Sequence, residues 1–438
     1  MKTFVRIAWR NVRVNWRHSL AAILSVSAGF FALSLFQGYI HNVKDIYNDG
    51  YSHRAMYGDV VLETTDAQTK GRADVFKYEL RKPQQEFIEK FLAGDPAFKN
   101  RVRVLTISGF VTNGRANTIF AGYGYDVVDG AEIRKPNWAW DVVAGIPLYQ
   151  SQNPSGVVVG RGLGQILGCT ATTKEKYFAP KGGYIPMERP FACGQPEIQL
   201  NVSTEAGQLN ALDVTVVGIR DAAFKELDNK YLLMPLGMAQ QLYDTDGLSF
   251  ITVQLKENSN VGAFVERFNT AATQSGQKIT ASPWQSHPFG DMYLRSVELL
   301  SIFRNFVVAV IISIAGLSVF NSLIKIVKER TREIGALRSI GFFQNQIVLM
   351  FGLEACFLAL LGNFLGFVAT LLVTGVINST GIMYKAGMLA EPIPFRIAVV
   401  PSVYIDSLVF LCCVSILAAL VPSFSISRKK IAETLVDV

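Results

Sequence analysis

Histidine is scarce in this sequence, and the usual catalytic motifs are missing. The chain has 4 histidines in 438 residues, which argues against histidine-rich metal sites and phosphorelay chemistry. It lacks the phosphate-cradling pattern G-x-x-x-x-G-K-[ST], and it also lacks H-E-x-x-H, C-x-x-C and G-x-S-x-G. The glycine-rich residues 160–164 do not have the spacing of a dinucleotide loop, so they predict a turn before a helix. We therefore expect a chain that is not an enzyme by itself and that binds no cofactor.

Charged residues are also few, and the apolar residues are concentrated in long runs. Only 18% of residues are charged and 50% are apolar, whereas ordinary soluble domains are roughly 25% charged. Four runs, at residues 18–40, 305–324, 346–376 and 402–421, are long enough to cross a hydrocarbon core of about 30 Å as helices. The first run is longer than a signal-peptide core and has no clear cleavage site, which favours an uncleaved anchor. The composition predicts a membrane protein with four spans.

The net charge of +7 is concentrated in three short segments. Residues 1–17 carry +5, residues 325–338 carry +3 and residues 428–438 carry +1, whereas the long stretch 41–295 carries −1. All three basic segments fall on one side of the membrane if the chain crosses it four times, so the positive-inside rule predicts cytoplasmic N- and C-termini. The excess is thus a topology signal, and we expect no nucleic-acid binding.

The stretch between the first two spans is too long to be a loop, and it mixes strand and helix patterns. Short runs rich in β-branched residues alternate with helical stretches, which predicts an α+β domain. We expect strands at residues 59–63, 102–111, 118–123, 156–160, 197–202, 212–219 and 250–255, and helices at 84–92, 236–243 and 261–274. The predicted fold is four transmembrane α-helices with a large α+β extracytoplasmic (periplasmic) domain inserted between helices 1 and 2.

The first 17 residues show two faces at helical spacing. The apolar face holds Phe4, Val5, Ala8, Trp9, Val12 and Trp16, and the opposite face holds Arg6, Arg10, Arg13 and Arg17. This pattern suits a helix in the inner headgroup layer, with tryptophan at the interface and arginine toward lipid phosphates. The alternative is a basic flank without a fixed helix.

Two of the five cysteines, Cys169 and Cys193, lie in the inserted domain, and the other three lie in apolar runs. In an oxidising compartment this pair predicts a disulfide, and the alternative is two buried free thiols. The intervening insertion, residues 170–192, is rich in proline, glycine and aromatic residues. It either docks a partner or is an insertion without a binding role.

Two acidic residues interrupt the apolar runs. Asp406 lies near the start of the fourth run, where it can reach headgroups or water, and Glu354 lies deeper in the third. Acids in hydrocarbon are costly and are candidates for function. We expect Glu354 either to pair with a basic residue of the inner connection or to face a helix interface. A proton relay is less favoured, because no other run supplies the ionisable partners that it needs.

The most specific segment is residues 325–341, KIVKERTREIGALRSIG, which predicts a charged helix ending at Gly341. Its apolar residues Ile326, Ile334, Leu337 and Ile340 can form one face, and charged residues cover the rest. Such a helix suits docking into a groove on a partner protein. The alternative is a solvated connector held by the inner membrane surface.

This segment, followed by an apolar run containing L-E-A, resembles the FtsX/MacB-type (type VII) ABC transporter permease family. The order of one helix, a large outer domain and three more helices also matches that family, and the layout is closest to the LolC/LolE lipoprotein-release permeases. Weaker similarities lie at residues 58–62, 156–168, 212–235 and 422–435. Phe342, Phe343 and the long insertion depart from the family pattern.

The resemblance implies that two copies of a separate ABC ATPase bind ATP and Mg, and that a second permease chain, identical or paralogous, completes the complex. The residues expected to couple to the ATPase are Glu329, Arg332, Glu333, Gly335, Leu337, Arg338 and Gly341. Membrane lipids and a periplasmic chaperone, adaptor or envelope enzyme are further expected partners. The implied location is the bacterial inner (cytoplasmic) membrane.

The implied function is ATP-driven extraction or transfer of a lipoprotein or other amphiphile at the outer face of the inner membrane. Two alternatives stay open from the sequence. One is an FtsX-like mechanotransmission regulator of an envelope enzyme. The other is a MacB-like tripartite efflux permease, in which residues 177–191 would contact an adaptor.

The chain is thus expected to divide at definite boundaries. They are 1–17 for an amphipathic interfacial helix, 18–40 for transmembrane helix 1, 41–56 for a stalk, 57–283 for the inserted MacB-like domain, 284–304 for a second stalk, 305–324 for transmembrane helix 2, 325–345 for a cytoplasmic coupling helix, 346–376 for transmembrane helix 3, 377–401 for a periplasmic connection, 402–421 for transmembrane helix 4 and 422–438 for a cytoplasmic tail.

Overall fold

The computed structural model describes residues 2–14, 16–70, 76–135, 142, 144–171, 191–220, 225–384 and 393–427. The helices, in chain order, are α1 (Lys2–Val14), α2 (Trp16–Asp49), α3 (Ala67–Lys70), α4 (Lys82–Gly94), α5 (Val127–Ile133), α6 (Arg161–Ile166), α7 (Lys225–Asp228), α8 (Leu236–Tyr243), α9 (Val261–Gln274), α10 (Asp291–Glu329), α11 (Thr331–Ser339), α12 (Gln344–Thr380) and α13 (Pro401–Ser427). The strands are β1 (Val60–Thr64), β2 (Phe98–Thr112), β3 (Asn117–Tyr125), β4 (Ala144–Gly145), β5 (Gly156–Gly160), β6 (Cys169–Ala171), β7 (Phe191–Cys193), β8 (Glu197–Ser203), β9 (Leu209–Arg220), β10 (Tyr231–Pro235), β11 (Phe250–Leu255), β12 (Ile279–Pro283), β13 (Met383–Tyr384) and β14 (Ile393–Pro394).

Four helices in the described part of the chain are long and apolar enough to cross a membrane, as the sequence predicted. They are Ser19–Arg54, Pro288–Ile326, Gln344–Thr380 and Pro401–Ile426. The chain divides into a membrane unit (Met1–Asp45, Val297–Ile382 and Pro394–Val438) and a second unit (Ile46–Ser296 and Met383–Ile393) that holds the inserted domain.

The two predicted stalks differ in how they begin and end. Helix α2 continues past the predicted span as far as Asp49, and Gly50–Arg54 then form a π-helical turn. Within the second predicted stalk, residues 284–304, the helix begins at Asp291. Residues Trp284–Ser286 and Pro288–Gly290 form two short 3₁₀ turns instead. Pro288 cannot donate a helical backbone hydrogen bond, so it is confined to the start of a helical turn.

Small residues allow α12 to approach α2 closely within the membrane unit. A Cβ atom on Gly362 would stand 2.8 Å from the carbonyl oxygen of Ile23, and one on Gly366 would stand 2.7 Å from that of Ser27. The two glycines are four residues apart, so they lie on one face of the helix. Such small-xxx-small faces bring backbones into contact where lipid provides no hydrophobic driving force.

One ten-stranded sheet forms the framework of the inserted domain. Its strand order is β12-β1-β11-β2-β3-β10-β5-β9-β4, with β8 pairing with both β2 and β9. Successive side chains of a strand point to opposite faces, and in β1 Val60 and Leu62 enter one core whereas Val61 enters the other. Helices α4, α8 and α9 contribute buried side chains to the first of these cores.

Three strands of this sheet were not predicted: the two-residue β4 and the longer β10 and β12. β10 reads YLLMP, a short apolar run that suits helix and strand equally, and β12 reads ITASP, which has little apolar content. β10 is a strand because it lies between β3 and β5, and β12 because it pairs along the whole of β1. Pairing over long sequence separations therefore determined that β10 and β12 are strands.

Candidate coupling site

The charged segment at residues 325–341 is divided between two helices, whereas the sequence predicted one helix through it. α10 ends at Glu329, Arg330 leaves helical geometry at φ −103° and ψ 14°, and α11 starts at Thr331. α11 ends at Ser339, and Gly341 adopts φ 107°, a conformation that side-chain-bearing residues rarely take. α11 is therefore a short separate helix with a break at each end.

Arg330 occupies the break and pairs with the acid of the third span. Its Nη1 lies 3.1 Å from Oε2 and 3.4 Å from Oε1 of Glu354, whose side chain is 0% exposed. Its Nε donates to Oε2 of Glu333 at 2.8 Å. The side chain of Asn11, on α1, lies beside the same Glu354 carboxylate. A buried charge is tolerated when it is paired and hydrogen-bonded, so this geometry holds Glu354 as a structural anchor.

The apolar residues of α11 pack inside the chain, which corrects the predicted docking face. Ile334 is buried in a cluster with Ile347, Met350, Phe351 and Ile426, and Ile7, Leu337 and Phe342 pack against it. Ile326 is buried in the main core of the membrane unit. Of the four predicted face residues only Ile340 is open to solvent, at 78% exposure. The apolar ridge therefore fixes α11 to α12 and α13.

The residues predicted to couple to an ATPase fall into three groups by exposure. Glu329, Arg332, Glu333 and Gly341 are exposed, Leu337 and Arg338 are half-buried, and Gly335 is buried. Phe343, which the sequence marked only as a departure from the family pattern, is 73% exposed. We use the name coupling surface for five of the exposed residues of this segment: Glu329, Arg332, Glu333, Ile340 and Phe343.

The sequence did not identify Arg330, Asn11 or Phe343 as functional residues. Arg330 is one of five basic residues between 325 and 338, and nothing in the local pattern separates it from the others. The available signal was Glu354 itself, since an acid in an apolar run calls for a basic partner.

A second set of residues holds the ends of both stalks on one core of the inserted domain. We call Tyr51, Tyr57, Trp284, Phe289 and Tyr293 the aromatic clamp. The ring of Tyr51 stacks on that of Trp284 at 5.4 Å, and Tyr293 meets Trp284 at 4.9 Å. Tyr57 stacks on Phe289 at 4.6 Å. Offset and edge-to-face aromatic pairs add stability beyond area burial, so the clamp fastens the end of α2 and the start of α10 to the same sheet.

Cys169 and Cys193 are register partners in the β6–β7 pair and form a disulfide in the structure. Cys356, Cys412 and Cys413 are free thiols. The loop between Cys169 and Cys193 lies outside the described residues except for its two ends. The predicted adaptor contact at residues 177–191 falls in this loop.

Two family models match this chain. The "MacB-like periplasmic core domain" covers residues 19–271, which is more than half of the chain, and the "FtsX-like permease C-terminal" covers residues 305–431. Four membrane-spanning helices, an inserted α+β domain and a charged segment between the second and third spans define a multi-pass permease. The chain belongs to the FtsX/MacB-type ABC transporter permease family.

Several known proteins are similar to parts of the chain. It is 24% identical over 175 residues to the uncharacterized ABC transporter permease MJ1507 of Methanocaldococcus jannaschii, covering 40% of this chain and 43% of the relative. It is 27% identical over 179 residues to the macrolide export ATP-binding/permease protein MacB of Photorhabdus laumondii, covering 38% of this chain and 27% of the relative. The chain thus spans less than half the length of these relatives. The crystal structure of the periplasmic region of MacB from Actinobacillus actinomycetemcomitans has a TM-score of 0.34 and 12% identity, covering 55% of this chain and 94% of that one.

Proposed function

We propose that this chain is the non-catalytic transmembrane subunit of an ABC transporter, in which a separate ATPase drives movement of the inserted domain. The observation that carries the proposal is the construction of α11. The Arg330–Glu354 pair and the apolar cluster around Ile334 fix this helix to the third span, while its coupling surface stays exposed. A helix fixed on one side and exposed on the other suits a partner that moves it.

The coupling surface combines exposed charges with two exposed apolar side chains. Ile340 and Phe343 flank the turn at Gly341, and Glu329, Arg332 and Glu333 lie before it. Large apolar side chains that remain exposed next to charges are typical of protein interaction sites. We propose that two ATPase copies, each binding ATP and Mg, engage this surface on this chain and on a second permease chain, identical or paralogous.

The helix that precedes the coupling surface is suited to transmit a displacement. α10 is unbroken over 39 residues, from Asp291 to Glu329, which corresponds to roughly 58 Å of helix. Tyr293, in its first turn, is part of the aromatic clamp, and Arg330 follows its last residue. Rigid-body movement of packed elements is an established switching mode, and we propose that α10 carries it, with the N- and C-termini on the ATPase side.

For the substrate, we propose a lipoprotein or other amphiphile that is extracted or transferred at the outer face of a bacterial inner membrane. The layout of the chain, with stalks that carry the inserted domain, supports this class. A MacB-like export function with an adaptor is the second candidate, and the match of the family model over residues 19–271 favours it. An FtsX-like regulator of an envelope enzyme, or a chaperone-assisted release system, would use the same mechanics.

The experiment begins with tagged full-length chain purified from its native host, followed by identification of the bound subunits. Recovery of an ABC ATPase whose hydrolysis rate rises when the permease is present is the expected result. Recovery of the chain without any ATPase would overturn the proposal. The complex is then reconstituted with a lipoprotein in the bilayer, and release to a soluble acceptor on ATP addition is measured. A working ATPase complex that releases no lipoprotein would discard this substrate class in favour of export or enzyme regulation.

A further inference from the structure

The amino-terminal helix α1 presents three different surfaces. Ala8 and Val12 are buried against the membrane unit. Val5 and Trp9 are exposed beside this buried face, with Trp9 at 47% exposure. Arg6, Arg10 and Arg13 are exposed farther round the helix. One surface therefore packs on the protein and the third is basic. The surface between them is apolar and partly open, because the ring of Trp9 also lies 5.5 Å from that of Phe357.

The packed surface of α1 touches the coupling segment directly. Ile7 packs on the cluster around Ile334, and the ring of Phe4 lies 6.2 Å from that of Phe342. Asn11 lies beside the carboxylate of Glu354. A change in the position of α1 would therefore alter the packing of the residues that fix α11.

The basic surface carries charge that the described part of the protein does not neutralise. Within the described ranges Arg6, Arg10 and Arg13 form no ion pair, and residues 1–17 contain no acid. Their spacing places all three on one side of the helix. An acidic protein surface would account for the arginines but would leave the exposed part of Trp9 and the adjoining Val5 unexplained. A bilayer surface accounts for both, because apolar side chains enter the acyl boundary and arginines reach the headgroups.

We propose that α1 binds anionic phospholipid headgroups through Arg6, Arg10 and Arg13, and that this binding sets how firmly α1 holds the coupling segment. The binding itself stands without the proposed transport function, whereas the regulatory consequence rests on it. A membrane without anionic lipid would loosen the contact of α1 with Phe342 and Glu354. Coupling to the ATPase would then weaken.

The first experiment measures binding in nanodiscs that hold full-length chain and no ATPase. The discs contain either brominated phosphatidylglycerol or, at the same mole fraction, brominated phosphatidylcholine, and quenching of Trp9 is isolated by subtracting the Trp9→Phe variant. We expect stronger quenching by the anionic lipid. Each arginine is expected to contribute about fivefold to the lipid preference, the equivalent of about 1 kcal/mol.

The matched variants separate charge from folding. The Arg6→Gln, Arg10→Gln, Arg13→Gln triple variant should lose the preference, and the corresponding triple lysine variant should keep it. Equal quenching by both lipids in the unaltered chain would overturn the proposal. Loss of ATPase co-purification in the triple glutamine variant, with the lipid preference intact, would also overturn it and would assign the arginines to a protein contact.

The second experiment measures regulation in the same discs with the ATPase added. We expect ATPase stimulation to rise with the phosphatidylglycerol fraction in the unaltered chain and to stay flat in the triple glutamine variant. Anionic-lipid binding without any change in stimulation would remove the regulatory part alone. Failure to find an ATPase at all would remove the proposed function and would leave the binding result standing.

Discussion

The guanidinium group of Arg330, which lies between α10 and α11, pairs with the carboxylate of Glu354, 24 residues later in the sequence. Nη1 of Arg330 and Oε2 of Glu354 are 3.1 Å apart. Arg330 is free to do so because it belongs to neither α10 nor α11. Two ion pairs of this one guanidinium thereby link the helix break to the exposed Glu333 and to the buried acid of the third span. The acid in the membrane and the coupling segment form a single structural feature.

Removing one member of this pair should destabilise the chain strongly. Glu354→Ala leaves Arg330 half-buried without its carboxylate, and loss of one partner of a buried pair costs on the order of 3 kcal/mol. We expect a lower midpoint of thermal unfolding in detergent. Asp406→Ala is the control, since Asp406 is exposed and should change the midpoint little. The exchange Arg330→Glu with Glu354→Arg should recover part of the loss, and no recovery would argue against direct pairing.

Two isoleucines of the coupling segment should respond in opposite ways. Ile340→Ser alters an exposed side chain, so it should weaken co-purification with the ATPase and leave the unfolding temperature unchanged. Ile334→Ala opens a cavity in a buried cluster, so it should cost about 2–5 kcal/mol of stability. Pull-down and thermal unfolding of both variants give the comparison. Normal ATPase binding by Ile340→Ser together with normal binding by Phe343→Ser would exclude the coupling surface as the contact.

The charge on the coupling surface can be tested at Glu333. Glu333→Lys places a cation beside Arg330, whose Nε now donates to the Glu333 carboxylate. We expect weaker ATPase association and lower stimulation of hydrolysis. Glu333→Gln keeps a hydrogen-bond acceptor and should have a smaller effect. Identical stimulation by all three proteins would show that Glu333 is not part of the contact.

The aromatic clamp should be essential to the stability of the inserted domain. Trp284 is fully buried and contacts both Tyr51 and Tyr293, so Trp284→Ala should cost about 3–5 kcal/mol. Leu209→Ala is the control, because Leu209 is 89% exposed. Limited proteolysis of the full-length chain should show faster cleavage near both stalk ends in the Trp284 variant only. Unchanged cleavage would mean that the clamp does not hold the stalks.

Stability of the inserted domain should also depend on pH through Glu79. Burial raises the pKa of Glu79 above its ordinary value of 4.5, and the Thr245 hydroxyl and the Arg81 guanidinium oppose the shift only in part. The folded state then binds the proton more tightly than the unfolded state, so stability falls as pH rises above about 4.5. Glu79→Gln should therefore unfold at a higher temperature than the parent at neutral pH.

The difference should shrink as the pH is lowered toward the ordinary pKa of a glutamate. Oε2 of Glu79 accepts from the Thr245 hydroxyl at 2.9 Å, and glutamine retains an acceptor there. The exposed Glu257→Gln serves as the control and should shift nothing. A gap between Glu79→Gln and the parent that widened in acid would reverse the assigned sign.

The local sequence predicted some elements to the residue. β5, β11, α8 and α9 have the predicted bounds because each is a run with clear periodicity and turn residues at its ends. Elements decided by partners were missed or misjudged. β12 is a strand because it pairs with β1. Ile334 is buried because it packs against side chains of α12 and α13.

The sequence by itself determined the four spans, since long apolar runs are driven out of water whatever surrounds them. It also indicated the permease family, through residues 325–341 and the order of the spans. It also favoured a structural role for Glu354, either in a pair with a basic residue or at a helix interface, because an unpaired carboxylate in hydrocarbon is costly. Only the tertiary structure decided that the partner is Arg330, that the coupling segment breaks there, and that its apolar residues face inward. These outcomes depend on which side chains meet across helices that are distant in the chain, and no local pattern records such contacts.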